Sequence, residues 1–256
     1  MTGTPLKSWL DRDGCLLRLR LAAPKANLID AAMIAAMDSA LAEHASNPGI
    51  ACVLLDAEGP HFSFGASVEE HLPGQCAAML AGLHGLIIRM LEYPAPILAA
   101  VRGQCLGGGL EVVCGASQVF AADNAMFGQP EIKLAVFAPA ASCLLPERIG
   151  QANAEDLLFS GRSIAATEAR SMGLVQAVDE DPEQAAIRWI DKHLAPLSAS
   201  SLRYAVQAAR VQSVERIKTK LAQVEKLYVD ELMSTNDALE GLMAFVEKRT
   251  ANWQNN

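Results

Sequence analysis

Apolar and polar positions alternate from Cys15 to Leu21, which predicts a strand with one face covered. Pro24-Lys25-Ala26-Asn27 reads as a turn, after which Asp30 caps a predicted helix running to about Ser46. Met33, Ile34, Met37 and Leu41 form its apolar face. Ile50–Leu55 and Ile97–Val101 are continuous apolar runs, the pattern of strands in a parallel sheet covered on both sides. Between them, Gln75 to Glu92 has helical spacing and is stopped by Tyr93-Pro94-Ala95-Pro96. Leu110–Ser117 predicts a short buried helix, and Ser117–Ala122 a further strand. Helices are then expected at Ala140–Ile149, Ala152–Phe159 and Thr167–Met172, a short strand at Leu174–Val178, and a helix opened by Pro182. Strands alternating with helices argue an α/β architecture with parallel pairing.

Beyond Pro196 almost everything from Leu197 to Arg249 is helical in pattern, including Val214–Met233 and Asp237–Arg249, with Asn236 as the N-cap of the last. The expected division is a core over residues 1–195 and a helical region over 196–256. Leu221, Val224, Leu227 and Tyr228 form one apolar stripe there, and Leu239, Leu242, Met243 and Val246 another. Their surplus suits packing on a partner subunit or an intrachain cap.

At 256 residues, 51 % hydrophobic and 20 % charged, the chain is long and apolar enough for a sizeable globular core. A net charge of −8 argues against a nucleic-acid or anionic-membrane surface. Charged residues break every apolar run before membrane-spanning length, and Met1–Leu10 lacks a secretory apolar core, so a cytoplasmic protein is expected. The six cysteines form no C-x-x-C pair and the five histidines no H-E-x-x-H motif, which leaves a metal or disulfide framework without support.

The chemistry concentrates at Gly103-Gln104-Cys105-Leu106-Gly107-Gly108-Gly109-Leu110-Glu111. Consecutive glycines at a strand-to-helix turn let the backbone approach a ligand with its N–H groups exposed, able to bind an anion or polarise a carbonyl. Glu111 follows two residues on, and Phe127-Gly128-Gln129-Pro130-Glu131 supplies a second carboxylate.

In order and spacing, these segments resemble the crotonase (enoyl-CoA hydratase/isomerase) superfamily. The likeness spans Pro24-x-x-Asn27, Phe64-Gly65-Ala66, Gly107-Gly108-Gly109-Leu110-Glu111, Phe127-Gly128-Gln129-Pro130-Glu131, Ala169-x-x-x-Gly173-Leu174-Val175 and Glu240-Gly241-Leu242-x-Ala244-Phe245-x-Glu247-Lys248-Arg249. The resemblance implies a spiral of ββα repeats with a C-terminal helical region that builds homotrimers, often paired into hexamers. It implies an acyl-CoA substrate and no redox or metal cofactor, coenzyme A being part of the substrate. The backbone N–H groups of Ala66 and Gly108 would clamp the thioester oxygen, Glu111 would hold and deprotonate water, and Glu131 would donate the proton. Lys25 and Lys248, the latter of the last helix, would meet the nucleotide's phosphates.

Two departures sharpen the expectation. Gly65-Ala66-Ser67 stands where common hydratases carry Gly-Ala-Asp, and Ile132–Pro146 lacks their glycine-rich stretch, with Phe137, Ala140, Ala141 and Cys143 in its place. In the family that segment borders the acyl pocket, so Phe64, Ser67, Phe137 and Pro139 are expected to shape it. The Val-Phe-Ala-Pro-x-Ala-Ser variant is most similar to hydratases of cyclohexa-1,5-diene-1-carbonyl-CoA, from anaerobic benzoyl-CoA breakdown. That implies a planar ring substrate and 1,4-addition of water. A short-chain enoyl-CoA hydratase, and a non-catalytic or RNA-binding member of the fold, are the alternatives.

Overall fold

A computed structural model describes residues 4–256. β1 (Leu6–Asp11) pairs antiparallel with β2 (Leu16–Leu21), and α1 (Ala31–His44) leads to β3 (Cys52–Ala57), parallel to β2. There follow α2 (Cys76–Glu92), β4 (Ile97–Val101), β5 (Gln104–Leu106), α3 (Gly108–Cys114), β6 (Gln118–Ala121) and β7 (Met126–Gly128). A 3-10 turn (Pro130–Leu134) leads into α4 (Pro139–Ile149), α5 (Gln151–Ser160), β8 (Ser163–Ala165), α6 (Ala166–Ser171) and β9 (Ala177–Val178). The chain closes with α7 (Pro182–His193), α8 (Ala199–Lys226) and α9 (Asn236–Val246).

The strands form a six-stranded sheet, β1-β2-β3-β4-β6-β9, and a three-stranded sheet, β5-β7-β8. Successive strand pairs divide between them: β4 and β6 enter the large sheet, β5 and β7 the small one, and a helix follows each pair. Phe62 and Ser63 extend this pattern upstream. Ser63 bridges Cys105 in parallel, with Ser63 N donating to the Gln104 carbonyl and Leu106 N to the Ser63 carbonyl, each at 3.0 Å.

Side-chain alternation sorts the large sheet into two faces. Leu17, Leu19, Val53, Leu55, Ile97, Ala99 and Val119 face the main core with α1, α2, α3 and α4. Leu16, Cys52, Leu54, Leu98, Ala100 and Phe120 face Ala185, Ala186, Ile187 and Ile190 of α7. A third cluster joins the start of α2 (Cys76, Met79, Leu80) to Val136, Tyr228, Ala238 and Leu242, so the C-terminal helices pack beside the segment that carries Glu131. There α9 crosses the 3-10 turn at Gly241, where a Cβ would lie 2.2 Å from the Leu134 carbonyl oxygen.

Several expected boundaries move for local reasons. Asp30 caps α1 through the Met33 N–H at 2.8 Å, as its position predicts. Asn236 does not cap α9: the Thr235 hydroxyl accepts from Ala238 N at 3.3 Å, while the Asn236 amide bonds Asn256. The strand expected at Leu174–Val178 shrinks to Ala177–Val178, because Leu174 and Val175 direct their N–H groups back to the Ala169 carbonyl. α8 begins at Ala199, well before Val214, and its first half is largely exposed. Among the described residues no helix is long and apolar enough to cross a membrane.

Candidate active site

Two glycine turns bring the amides of Ala66 and Gly108 close together. Gly65 has φ +107° and Gly107 φ +50° with ψ −128°, conformations that side-chain-bearing residues avoid. The loop carrying Gly65 is held against β5 through Ser63, and the Gly107 N–H is tied to the Gly128 carbonyl at 3.0 Å. The two turns touch: a Cβ on Gly108 would lie 3.1 Å from Ala66 N, and one on Gly65 would lie 3.6 Å from Gly108 N. Among the described residues no acceptor meets the N–H of Ala66 or of Gly108. Preorganised donors of this kind stabilise negative charge developing on a carbonyl oxygen.

Glu131 lies against Gly107, and Glu111, from a different element, is near enough for its charge to act on Glu131. Glu111, in the first turn of α3, is 3 % exposed, and its Oε1 accepts from Ala141 N at 2.9 Å in the first turn of α4. Burial raises its pKa, against the Ala141 amide, the charge of His84 and the Ala140 amide, which favour the ionised form. Glu131 sits on the 3-10 turn with its carboxyl over Gly107, where a Cβ would lie 2.7 Å from Oε1. Burial, and then the charge of Glu111, push its pKa up to about 8. The buried Gln129 amide, with its nitrogen turned to this carboxyl, donates to both oxygens at 3.0 Å. Both acids are therefore shifted toward the neutral form by burial, with the amides of Ala141 and Ala140 and the charge of His84 opposing the shift at Glu111.

A cavity of about 750 Å³ borders Ala66, Gly107 and Glu131, whereas Glu111 and Gly108 are not on its wall. Phe64, Ala66, Ser67, Gly107, Glu131, Val136 and Leu242 line it, with Lys133, Phe245 and Lys248 also on its wall. Of the expected pocket residues, Phe64 and Ser67 lie on this surface. Phe137 and Pro139 do not: Phe137 packs edge-on to Tyr228 with ring centroids 5.2 Å apart, and Pro139 is buried as the first residue of α4. Lys248 lines the cavity within the same chain, but it stands beyond α9 in a left-handed turn (φ +55°), not on the helix. Lys25 is exposed and does not line the cavity, although its turn abuts the cavity loop, the Ala26 carbonyl accepting from Phe64 N at 3.0 Å.

Sequence reasoning missed Lys133, His71 and the inner groups His84, Gln129 and Tyr228. His71 Nδ1 donates to the Ser67 carbonyl at 2.7 Å, and burial lowers its pKa. His84 and Tyr228 sit within apolar helical stripes, where an isolated polar residue on the buried face was the available signal. His84 Nδ1 bonds the Glu225 carboxylate, while its Nε2 and the Tyr228 hydroxyl are buried without partners. No group of three His, Cys, Asp or Glu among the described residues is arranged to hold a metal.

The family model for enoyl-CoA hydratase/isomerase matches residues 11–256. The chain belongs to this family. It is 67 % identical to a cyclohexa-1,5-dienecarbonyl-CoA hydratase of Thauera aromatica, with 98 % of each chain covered. It is 31 % identical to a probable enoyl-CoA hydratase of Bacillus subtilis, over 88 % of this chain and 90 % of that one. Among solved structures, an enoyl-CoA hydratase/isomerase of Pseudoalteromonas atlantica superposes with TM-score 0.83 at 27 % identity, over 97 % and 99 % of the two chains. An enoyl-CoA hydratase of Mycobacterium avium subsp. paratuberculosis gives TM-score 0.85 at 23 % identity, over 98 % and 99 %, which speaks for the fold alone. The paired-strand architecture is thus the crotonase fold, with its helical C-terminal region, and the enzyme class is that of enoyl-CoA hydratases.

Proposed function

We propose that the protein hydrates cyclohexa-1,5-diene-1-carbonyl-CoA by 1,4-addition, giving 6-hydroxycyclohex-1-ene-1-carbonyl-CoA. The observation that carries this is the meeting of Ala66, Gly107 and Glu131 on the wall of one cavity, with the buried Glu111 near enough for its charge to raise the pKa of Glu131. The identity to the Thauera hydratase supports the choice of ring.

In this reading the thioester oxygen lies between Ala66 N and Gly108 N, each donor contributing about 3 kcal/mol as negative charge develops there. Glu111, kept ionisable by the Ala141 and Ala140 amides, takes a proton from water. The oxygen of that water bonds the ring carbon beta to the carbonyl, and electrons move through the ring into the oxyanion as a dienolate. Glu131, neutral below about pH 8, then protonates the far end of the dienolate. The two ring positions lie opposite each other, which suits two acids on separate elements. Lys133 and Lys248 on the cavity wall meet the phosphates of coenzyme A, and no resident cofactor takes part. Exposed Leu239, Phe245 and Val246 of α9 suit a trimer interface, with hexamers as pairs of trimers.

Incubation with the cyclic dienoyl-CoA and with crotonyl-CoA tests the reading. Conversion of the ring substrate to the hydroxycyclohexenoyl product, faster than crotonyl-CoA hydration, is expected. Faster turnover of crotonyl-CoA would overturn the ring assignment in favour of a short-chain hydratase.

A further inference from the structure

The Pro24-x-x-Asn27 motif has no task in the steps above, yet its turn grips the loop that carries Ala66 at two points. Phe64 N donates to the Ala26 carbonyl at 3.0 Å, and Ile29 N donates to the Gly65 carbonyl at 2.9 Å. Between these bonds stands Asn27, 1 % exposed and in a left-handed conformation (φ +45°) that asparagine adopts more readily than most residues. Both ends of its side-chain amide are engaged. Oδ1 accepts from Ala23 N at 3.0 Å, and Nδ2 donates to the carbonyls of Glu58 and His61 at 3.0 and 3.1 Å. One side chain thus closes the turn and fastens it to the segment that leads into Phe64 and Gly65.

The Ile29 contact matters because of the peptide it meets. The Gly65 carbonyl and the Ala66 N–H belong to one planar trans peptide, so they point in opposite directions. A donor fixed on the Gly65 oxygen therefore fixes the direction of the Ala66 N–H, and polarises it as chained hydrogen bonds do. Gly65 is the residue whose backbone restrains that direction least, so the restraint has to come from outside the loop. Gly108 receives the same support from its own helix: Glu111 N donates to the Gly107 carbonyl at 2.9 Å, across the peptide that carries the Gly108 N–H. Ala66 heads no helix, since the next helical turn is the 3-10 turn Glu69–His71. We propose that Asn27 is a positioning residue for the oxyanion site: it holds residues 23–29 so that the Ile29 N–H aims and polarises the Gly65–Ala66 peptide. The two donors are then matched, each backed by an amide on the far side of its own peptide plane.

This inference rests on the place of the thioester oxygen proposed above, and two variants of the full chain test it. Replacing Ile29 by its α-hydroxy acid turns one amide into an ester, which deletes that N–H and keeps every side chain. Asn27→Gly keeps the left-handed backbone and deletes the side-chain bonds. One readout is the infrared carbonyl stretch of bound cyclohexanecarbonyl-CoA, isotope-labelled at the carbonyl, a saturated thioester that cannot be hydrated. The other is kcat on whichever of the ring and crotonyl thioesters the wild type hydrates faster. In wild type the band is expected at lower frequency when bound. In both variants that shift should shrink by about half, with kcat lowered about tenfold and KM kept within about threefold. A merely structural role would lower Tm and leave the band where wild type puts it. That result, or a kcat within about twofold of wild type in the ester variant, would overturn the proposal; the ester variant decides alone if Asn27→Gly does not fold. A wild-type band unmoved on binding would instead overturn the oxyanion reading itself, and the role of Asn27 with it.

Discussion

The Ala141 amide donates to Oε1 of Glu111 at 2.9 Å, so the first turn of α4 holds the acid that α3 presents. A proline is tolerated in a helix's first turn, because its missing N–H has no intrahelical partner there. Ala141→Pro therefore removes this donor while keeping the helix. Loss of a donor to the carboxylate raises the pKa of Glu111 further, so the acid limb of the kcat profile is expected to move to higher pH. An unmoved limb would show that the contact does not tune the base.

Replacing either acid by its amide keeps shape and removes proton transfer. Glu111→Gln and Glu131→Gln are each expected to lower kcat by about 100-fold or more. Circular dichroism and thermal unfolding should stay those of a folded protein. Near wild-type turnover in either variant would remove that residue from the mechanism.

Glu131 carries a pH signature in both rate and stability. As the proton donor it must be neutral, so kcat is expected to fall as pH rises through about 8. Its pKa in the folded protein lies above the ordinary 4.5, so between those values the folded state binds more proton than the unfolded chain. Stability from this group is present at low pH and is lost as pH rises through that window. Glu131→Gln should flatten the corresponding part of the Tm–pH curve, and an unchanged slope would assign the dependence elsewhere.

At the cavity mouth, Lys248→Glu is expected to raise KM for the acyl-CoA by about tenfold with little change in kcat. The effect should shrink at high salt, as an exposed phosphate contact does. Lys25→Glu, away from the cavity, should leave KM nearly unchanged.

Far from the site, Arg18 and Asp56 form a buried ion pair at 2.6 Å, both under 6 % side-chain exposure. Asp56 also accepts from Arg20, and the carboxylates of Glu183 and Asp11 are the other partners of Arg18. Asp56→Ala leaves a buried guanidinium short of its main partner, and a loss of about 3 kcal/mol is expected in denaturant unfolding. A change below about 1 kcal/mol would mean that Glu183 suffices.

Much of this protein is written locally. Apolar runs place β3 and β4, periodicity places α1 and α2, and the glycines of 65 and 107–109 announce a backbone that must approach something closely. Those features depend on near neighbours in the chain, so the order of residues carries them. Short strands β5, β7 and β8 exist only because distant segments pair, as Ser63 does with Cys105, and three-residue runs hold no period of their own. The same distinction divides the site. Both glutamates and both amides were legible as motifs, whereas the upward shift of both acids was not, because the burial that causes it, and the amides of α4 and the charge of His84 on α2 that oppose it at Glu111, come from elements remote in sequence. That the Tyr228 hydroxyl is left without a partner is likewise decided by packing, where its turn meets the start of α2 and α9. Residue type decides which chemistry is available, and long-range packing decides which polar atoms lose water and therefore what each acid can do.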